Sequence, residues 1–267
     1  MVESKLQEKI DLHRLPRHIA VIMDGNGRWA QNNLLPRYEG HWAGVKVVDR
    51  IVTLGCKINL EALTLYSFSD ENWNRPSGEI STLMKILDFY LKKELEKMKE
   101  ENIQFNIIGH IEDLPTSIQK LIQYSIDETK NNTGMILTLA LSYGGRQEIL
   151  DVVKKVAQVV KDGKISTEEI NFPLIESFLS THPMPDPDLL IRTSGERRIS
   201  NFLLYQSAYT ELHYNNVLWP DFTEDDFQLS FKSQYYAQVV AYKEDKQHFE
   251  DVCLILNNIN NIKLLLN

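Results

Sequence analysis

Short apolar runs alternate with longer amphipathic stretches along most of the chain, and this alternation limits the possible folds more than any other feature. His18–Met23 (HIAVIM) is apolar at consecutive positions and stops at Asp24-Gly25-Asn26-Gly27, a turn signal. The same reading predicts strands over Leu60–Phe68, Phe105–Ile108, Met135–Leu141, Leu189–Arg192 and Glu211–Tyr214. Helical spacing predicts helices over His41–Leu54, Ser77–Glu101, Pro115–Thr129, Arg146–Lys161, Pro173–Leu179 and Thr223–Val240. Over Arg146–Lys161 the inward set is Ile149, Val152, Val153, Val156, Val159 and Val160. Strands alternating with helices imply an α/β fold. The expectation is a single domain whose mainly parallel central sheet of about six strands is flanked by helices. No internal repeat or long linker divides it. The expected boundaries are an N-terminal segment over residues 1–17, the main domain over 18–240 and an atypical C-terminal tail over 241–267. Within the tail, Leu254–Asn267 uses almost only Leu, Ile and Asn and reads as a packing helix or a frayed tail.

Composition narrows the function. The chain has 267 residues and a net charge of −8, so it carries no broad basic field for nucleic acid. A polyanionic ligand would need a local cluster or a metal. The only cysteines, Cys56 and Cys253, show no CxxC and fit a reducing compartment. The first residues are charged and lack the apolar core of a signal peptide, and no apolar run approaches the roughly 18 residues of a membrane span. A cytoplasmic protein is expected.

Three clusters carry chemistry, and each follows a predicted strand. In Asp24-Gly25-Asn26-Gly27-Arg28-Trp29-Ala30, two glycines let backbone N–H groups approach an anion. Asp24 suits a hard cation, and Arg28 and Arg37 add positive charge. Gly25-x-Gly27-x-x-Ala30 also matches a dinucleotide fingerprint, but the acidic residue expected about 20 residues on, at the next strand's end, is missing. The second cluster is Ser67-Phe68-Ser69-Asp70-Glu71-Asn72-Trp73-Asn74-Arg75-Pro76, which joins hydroxyls, amides, an arginine and aromatics. The third follows Leu189–Arg192. There Arg192, Arg197 and Arg198 are interleaved with Thr193, Ser194 and Ser200, a pattern suited to phosphate oxygens.

The stretches HIAVIMDGNGRWA, YSFSDENWNRPSGEISTLM, LSYGGRQEI and PDPDLLIRTSGERRISNFLLYQSAYTEL, in this order, resemble the cis-prenyltransferases, the bacterial undecaprenyl diphosphate synthases most of all. The resemblance runs from His18 to Phe227. It implies a Mg²⁺-dependent transferase that condenses isopentenyl diphosphate onto an allylic diphosphate such as farnesyl diphosphate. The product would be a long-chain polyprenyl diphosphate such as undecaprenyl diphosphate, precursor of the cell-wall lipid carrier. It also implies a homodimer, with a heteromer as the alternative, and allows peripheral membrane contact. By motif, Asp24 would hold the metal, with Glu211 assisting from the dimer side. Gly25, Asn26, Gly27, Arg28 and Arg37 would cradle the allylic diphosphate. His41, Ser69, Asn72 and Arg75 would line the reacting centre, with Asp24, His41, Ser69 and Asn72 catalytic. Arg192, Arg198 and Ser200 would grip isopentenyl diphosphate. Phe68, Trp73 and Trp29 are candidate apolar walls. Ile80, Leu83, Met84, Leu87 and Leu91, with Met135, Leu137 and Leu139, are the candidate lining of an apolar tunnel beside the sheet.

One departure stands out. The family's C-terminal R-x-G segment, which completes a partner subunit's isopentenyl site, has no counterpart: no Arg follows Arg198 and no Gly follows Gly195. The corresponding stretch reads Tyr235-Tyr236-Ala237-Gln238-Val239-Val240-Ala241-Tyr242-Lys243. A weak homodimer using Lys232, Lys243 or Lys246, a catalytic subunit that needs R-x-G in trans, and a frame slip near Ala237 all fit this pattern.

Overall fold

The computed structural model describes residues 15–232. Six strands form one parallel sheet: β1 (His18–Ile22), β2 (Ala62–Ser69), β3 (Gln104–Ile108), β4 (Ile136–Tyr143), β5 (Leu189–Arg192) and β6 (Glu211–Tyr214), in the order β3-β4-β2-β1-β5-β6. The helices are α1 (Asn26–Asn32), α2 (Arg37–Lys57), α3 (Ser77–Glu100), α4 (Thr116–Thr129), α5 (Gly145–Lys161), α6 (Phe172–Ser177) and α7 (Glu224–Lys232). All six predicted strands are present, and residues 16–230 form one compact unit. Covered faces explain why the strands read as unbroken apolar runs: every residue of β1 and β5 is buried.

The order of the strands sets the position of the site. From β1 the chain crosses to β2 on one side, whereas β5 lies on the other side of β1 and leads outward to β6. The crevice beyond the carboxyl ends of β1 and β5 is therefore the switch point of the sheet, where open α/β folds bind ligands.

Two sequence expectations change. Of the set predicted inward on α5, Val152 and Val156 are buried against Leu179, but Ile149 and Val153 are exposed. The buried face is narrower than the apolar stripe, because α5 meets only α6 and the chain after it there. The second cluster, which reads as one loop in the sequence, holds a 3₁₀ turn over Asp70–Asn74, closed by a reciprocal Ser69–Asn72 capping box. Of the predicted helix Thr223–Val240, the part up to Lys232 is helical, and the remainder and the 254–267 reading lie outside the described residues. Among the described residues no helix is long and apolar enough to cross a membrane.

β1 is fixed at its start by two buried polar groups. The Asp188 carboxylate accepts from the backbone N–H of Arg17 (2.7 Å) and of His18 (3.2 Å). The His18 ring contacts the Pro185 carbonyl through Nδ1 (2.7 Å) and the Thr64 hydroxyl through Nε2 (2.8 Å). A neutral imidazole donating from Nδ1 and accepting at Nε2 satisfies both partners. Burial lowers the His18 pKa below its ordinary value, outweighing the Pro185 contact and the Asp188 charge. The unfolded chain therefore binds the proton more readily, and His18 costs stability as pH falls through and below about 6.5. The expected result is a urea midpoint that drops between pH 7.5 and pH 5.5, with a smaller drop in His18→Gln. Equal drops in the two proteins would exclude His18 as the source.

Candidate active site

Asp24 follows β1 and Arg192 ends β5, so the switch point brings together residues 168 positions apart. The Arg192 Nη2 donates to Asp24 Oδ2 at 2.8 Å, and its Nη1 donates to the Ser200 hydroxyl and the Arg198 carbonyl, both at 2.6 Å. The Arg192 side chain is only 5% exposed. Thr193 locks the Asp24 backbone: its hydroxyl accepts from the Asp24 N–H (2.9 Å) and donates to the Asp24 carbonyl (2.6 Å). Burial acts to raise the Asp24 carboxyl. The hydrogen bond and charge of Arg192, helped by Ser194 and Arg28, outweigh it and hold Asp24 below the usual carboxylate range. Arg28 donates to the Ser194 hydroxyl at 2.5 Å and lies 3.7 Å from Glu196, which also pairs with Arg198.

Close helix packing forms the second wall. Gly25 takes φ +110°, a conformation that disfavours any side chain, and α1 starts at the next residue. Gly40 of α2 packs on α1 so tightly that a Cβ there would lie 2.0 Å from the Asn26 carbonyl oxygen. This contact carries Arg37 and His41 to the cavity mouth. The Glu79 carboxylate at the start of α3 gathers three groups: Arg75 at 3.0 Å, Arg37 at 3.4 Å and His41 Nε2 at 3.6 Å. Burial, then the charge of Arg75, lowers the His41 pKa and keeps the ring neutral at physiological pH.

Both walls open on one cavity of about 730 Å³. Its lining joins a polar set, Asp24, Asn26, Arg28, Arg37, His41, Arg75, Arg192 and Ser200, to an apolar set, Leu83, Met84, Ile86, Leu87, Leu139 and Leu141. Gly25, Gly27, Ser69 and Asn72 also line it. Three side-chain atoms of lining residues, Asn26 Oδ1, His41 Nε2 and Arg192 Nε, are buried without a hydrogen-bond partner. Such orphans cost stability unless a ligand satisfies them.

Several predicted residues lie elsewhere. Trp29 is not in this cavity: its indole donates to Asp221 Oδ1 at 2.7 Å, and it lines a separate cavity of about 490 Å³ with Trp42 and Phe89. Trp73 stands behind the wall, packed edge-on against Phe68 (4.8 Å) and donating to the Ser142 hydroxyl at 2.9 Å. Arg198 contributes its carbonyl to Arg192 but points its guanidinium at Glu196 near the surface. Glu211 starts β6 opposite Leu189, whereas Arg192 is opposite Tyr214. It is about 10 Å up the strand from the crevice, so this chain does not bring it to Asp24. From the tunnel set, Leu83, Met84, Leu87 and Leu139 line the cavity, while Ile80, Leu91, Met135 and Leu137 do not. No group of three or more His, Cys, Asp or Glu side chains suited to a metal occurs among the described residues.

The sequence assigns no role to Glu79, and it offers Thr193 and Ser194 only as hydroxyls for phosphate oxygens, not as partners of Asp24 and Arg28. The Arg75–Glu79 spacing of four on a helix start was a usable signal for Glu79.

Residues 22–241 match the family model described as "Putative undecaprenyl diphosphate synthase". An isoprenyl transferase of Geobacillus kaustophilus is 47% identical over 221 residues, covering 83% of this chain and 86% of that one. The crystal structure of lavandulyl diphosphate synthase from Lavandula x intermedia, in complex with dimethylallyl diphosphate, superposes with a TM-score of 0.81 at 34% identity, covering 84% of this chain and 96% of that one. That of a "probable undecaprenyl diphosphate synthase" from Campylobacter jejuni gives 0.68 at 31%, covering 83% and 95%. With the parallel sheet and the arginine-rich crevice at its switch point, these matches make the chain a prenyltransferase, a member of the undecaprenyl diphosphate synthase family.

Proposed function

We propose that the protein condenses isopentenyl diphosphate onto an allylic diphosphate, farnesyl diphosphate by the resemblance, to make a long-chain polyprenyl diphosphate. Undecaprenyl diphosphate, precursor of the cell-wall lipid carrier, is the expected product. The observation that carries this reading is the mixed lining of one cavity: its arginines suit diphosphates, and its leucines and methionine suit a hydrocarbon chain.

Asp24 fits Mg²⁺, because this ion binds through one or two carboxylates and fills its shell with water and phosphate oxygens. When bound, Mg²⁺ neutralises charge that develops on the departing diphosphate. The chain's own residues do the remaining work. Arg28 and Arg37 hold the allylic diphosphate, while Arg192 and Ser200 hold the isopentenyl diphosphate, and Arg198 supports Arg192 through its carbonyl. The carbon–oxygen bond of the allylic substrate breaks as the isopentenyl double bond attacks its C1. The cation left on the isopentenyl unit then loses a proton to Asp24, His41 or a diphosphate oxygen. Asp24 is drawn on by Arg192, whereas neutral His41 keeps its capacity to accept. Phe68 and the leucines exclude the water that would quench the cation.

The test is purified protein with farnesyl diphosphate, labelled isopentenyl diphosphate and Mg²⁺. Extractable labelled lipid is expected, and its absence at high enzyme concentration would overturn the reading. In the same assay Leu87→Trp is expected to shorten the product, because Leu87 belongs to the apolar lining of the cavity. An unchanged product length would remove the tunnel assignment.

A second reading rests on the missing R-x-G. The chain would then be a catalytic subunit, or a weak homodimer, whose isopentenyl site is completed poorly from its own tail. Restoring Arg and Gly near Val240–Lys243 should raise activity. Full activity of the unaltered homodimer would eliminate this reading. The site is expected to work in the cytoplasm, with only peripheral contact at the membrane that receives the lipid.

A further inference from the structure

We infer that Glu79 is a positioning residue that holds Arg37, Arg75 and His41 as one unit against the allylic diphosphate. The inference deepens the substrate assignment above and rests on it. Glu79 is in the first turn of α3, where a carboxylate also favours the helix N-terminus. That role alone would leave it facing solvent, yet its side chain is only 13% exposed and three cationic or cation-capable groups converge on it. They come from one helix and the turn between β2 and α3: Arg37 and His41 from α2, Arg75 from the turn. All three line the cavity, and Glu79 is behind them.

The geometry of Arg37 shows what the carboxylate does. Its Nε faces Glu79 at 3.4 Å, while its Nη1, Nη2 and Cζ lie over Gly27, each 2.9 Å from where a Cβ would stand. One edge of the guanidinium is thus held by Glu79, and the fork is presented to the Gly25–Arg28 cradle. A planar guanidinium can make both contacts at once, which a lysine cannot. The Arg37 side chain is 53% exposed, so without Glu79 it would spread over many rotamers. Glu79 also offsets repulsion between two arginines that must stand close together to bind one diphosphate. Its carboxyl is lowered below the usual range because the charges of Arg75, Arg37 and His41 outweigh its burial. It therefore remains an anion throughout the working pH range.

The test is Glu79→Gln, which keeps the shape and one acceptor but removes the charge, alongside Glu79→Asp, which keeps the charge. Losing charge assistance to the two arginines should raise KM for the allylic diphosphate by about tenfold. KM for isopentenyl diphosphate should stay within about twofold, because its arginines belong to the other cluster. Glu79→Asp should fall between wild type and Glu79→Gln. Following the His41 imidazole by NMR gives a separate readout: its titration should move to lower pH in Glu79→Gln, since a neighbouring anion that favours the charged ring is gone. Equal changes in both KM values, or no change in either KM or the His41 titration, would overturn the inference. So would tighter pyrophosphate binding by Glu79→Gln, which would mark Glu79 as a competitor rather than a support. If wild type makes no product, the substrate assignment fails. Calorimetric titration of wild type and Glu79→Gln with pyrophosphate then decides the role of Glu79 alone: about tenfold weaker binding supports it, and equal affinity overturns it.

Discussion

Asp24→Asn is expected to lower kcat/KM by at least about a thousandfold, the loss typical when a charge-stabilising group of a polar transition state is removed. The amide keeps the shape and can still accept from Arg192, so the loss measures charge rather than packing. Two effects act together. The amide is a poor ligand for a hard cation, so the leaving diphosphate loses its neutralising partner. Arg192, almost fully buried, also loses its counter-charge and is left near Arg28. An unpaired buried charge is costly, so the variant should also unfold at lower urea. Steady-state kinetics with labelled isopentenyl diphosphate over a range of Mg²⁺, with equilibrium unfolding, separate the two effects. A kcat/KM within tenfold of wild type would remove Asp24 from the centre of the mechanism.

Gly40→Ala should be the most damaging single-methyl change in the site. The added Cβ would lie 2.0 Å from the Asn26 carbonyl oxygen and 2.8 Å from its carbon, both backbone atoms that cannot rotate away. α1 and α2 would have to separate, at a cost of about 1–3 kcal/mol or more for a backbone shift in a packed region. Arg37 and His41 move with α2 while the cradle at Gly25–Arg28 moves with α1, so activity should fall with stability. Gly44→Ala supplies the comparison. There the Cβ meets the Asn26 side-chain oxygen at 2.6 Å and the Trp219 ring at 2.9 Å, and the amide can turn. Urea denaturation should rank wild type above Gly44→Ala above Gly40→Ala. A wild-type midpoint for Gly40→Ala would show that the two helices are not held this tightly.

The sheet was legible in the sequence because parallel strands buried on both faces must be written as continuous apolar runs, and β1, β4 and β5 are. The polar end of the site was legible because its residues follow those strands directly. What failed was direction. Trp29 reads as an apolar wall of the site, but one step along the helix from Arg28 turns a side chain by about 100°, toward Trp42 and Phe89 instead. Glu211, assigned by motif to act from the dimer side, stands level with the start of β5 within its own chain. The apolar stripe on α3 was read too narrowly. Ile86 and Tyr90 reach the cavity, while Leu91 is spent entirely on the core. Glu79 was missed because an acidic residue in the first turn of a helix, with an arginine four positions earlier, usually marks a solvated face. Only the approach of α2 shows otherwise.

The contact between Asp24 and Arg192 also governs when the site can exist. Everything from β1 to β4 can pair while the chain is still being made, with the cradle and Glu79 already in place. The second arginine cluster arrives only when β5 docks beside β1, closing a loop of 168 residues. Such distant pairings form late and slowly. A nascent chain that ends before β5 would carry one diphosphate cradle without the other, and could sequester an allylic substrate without consuming it.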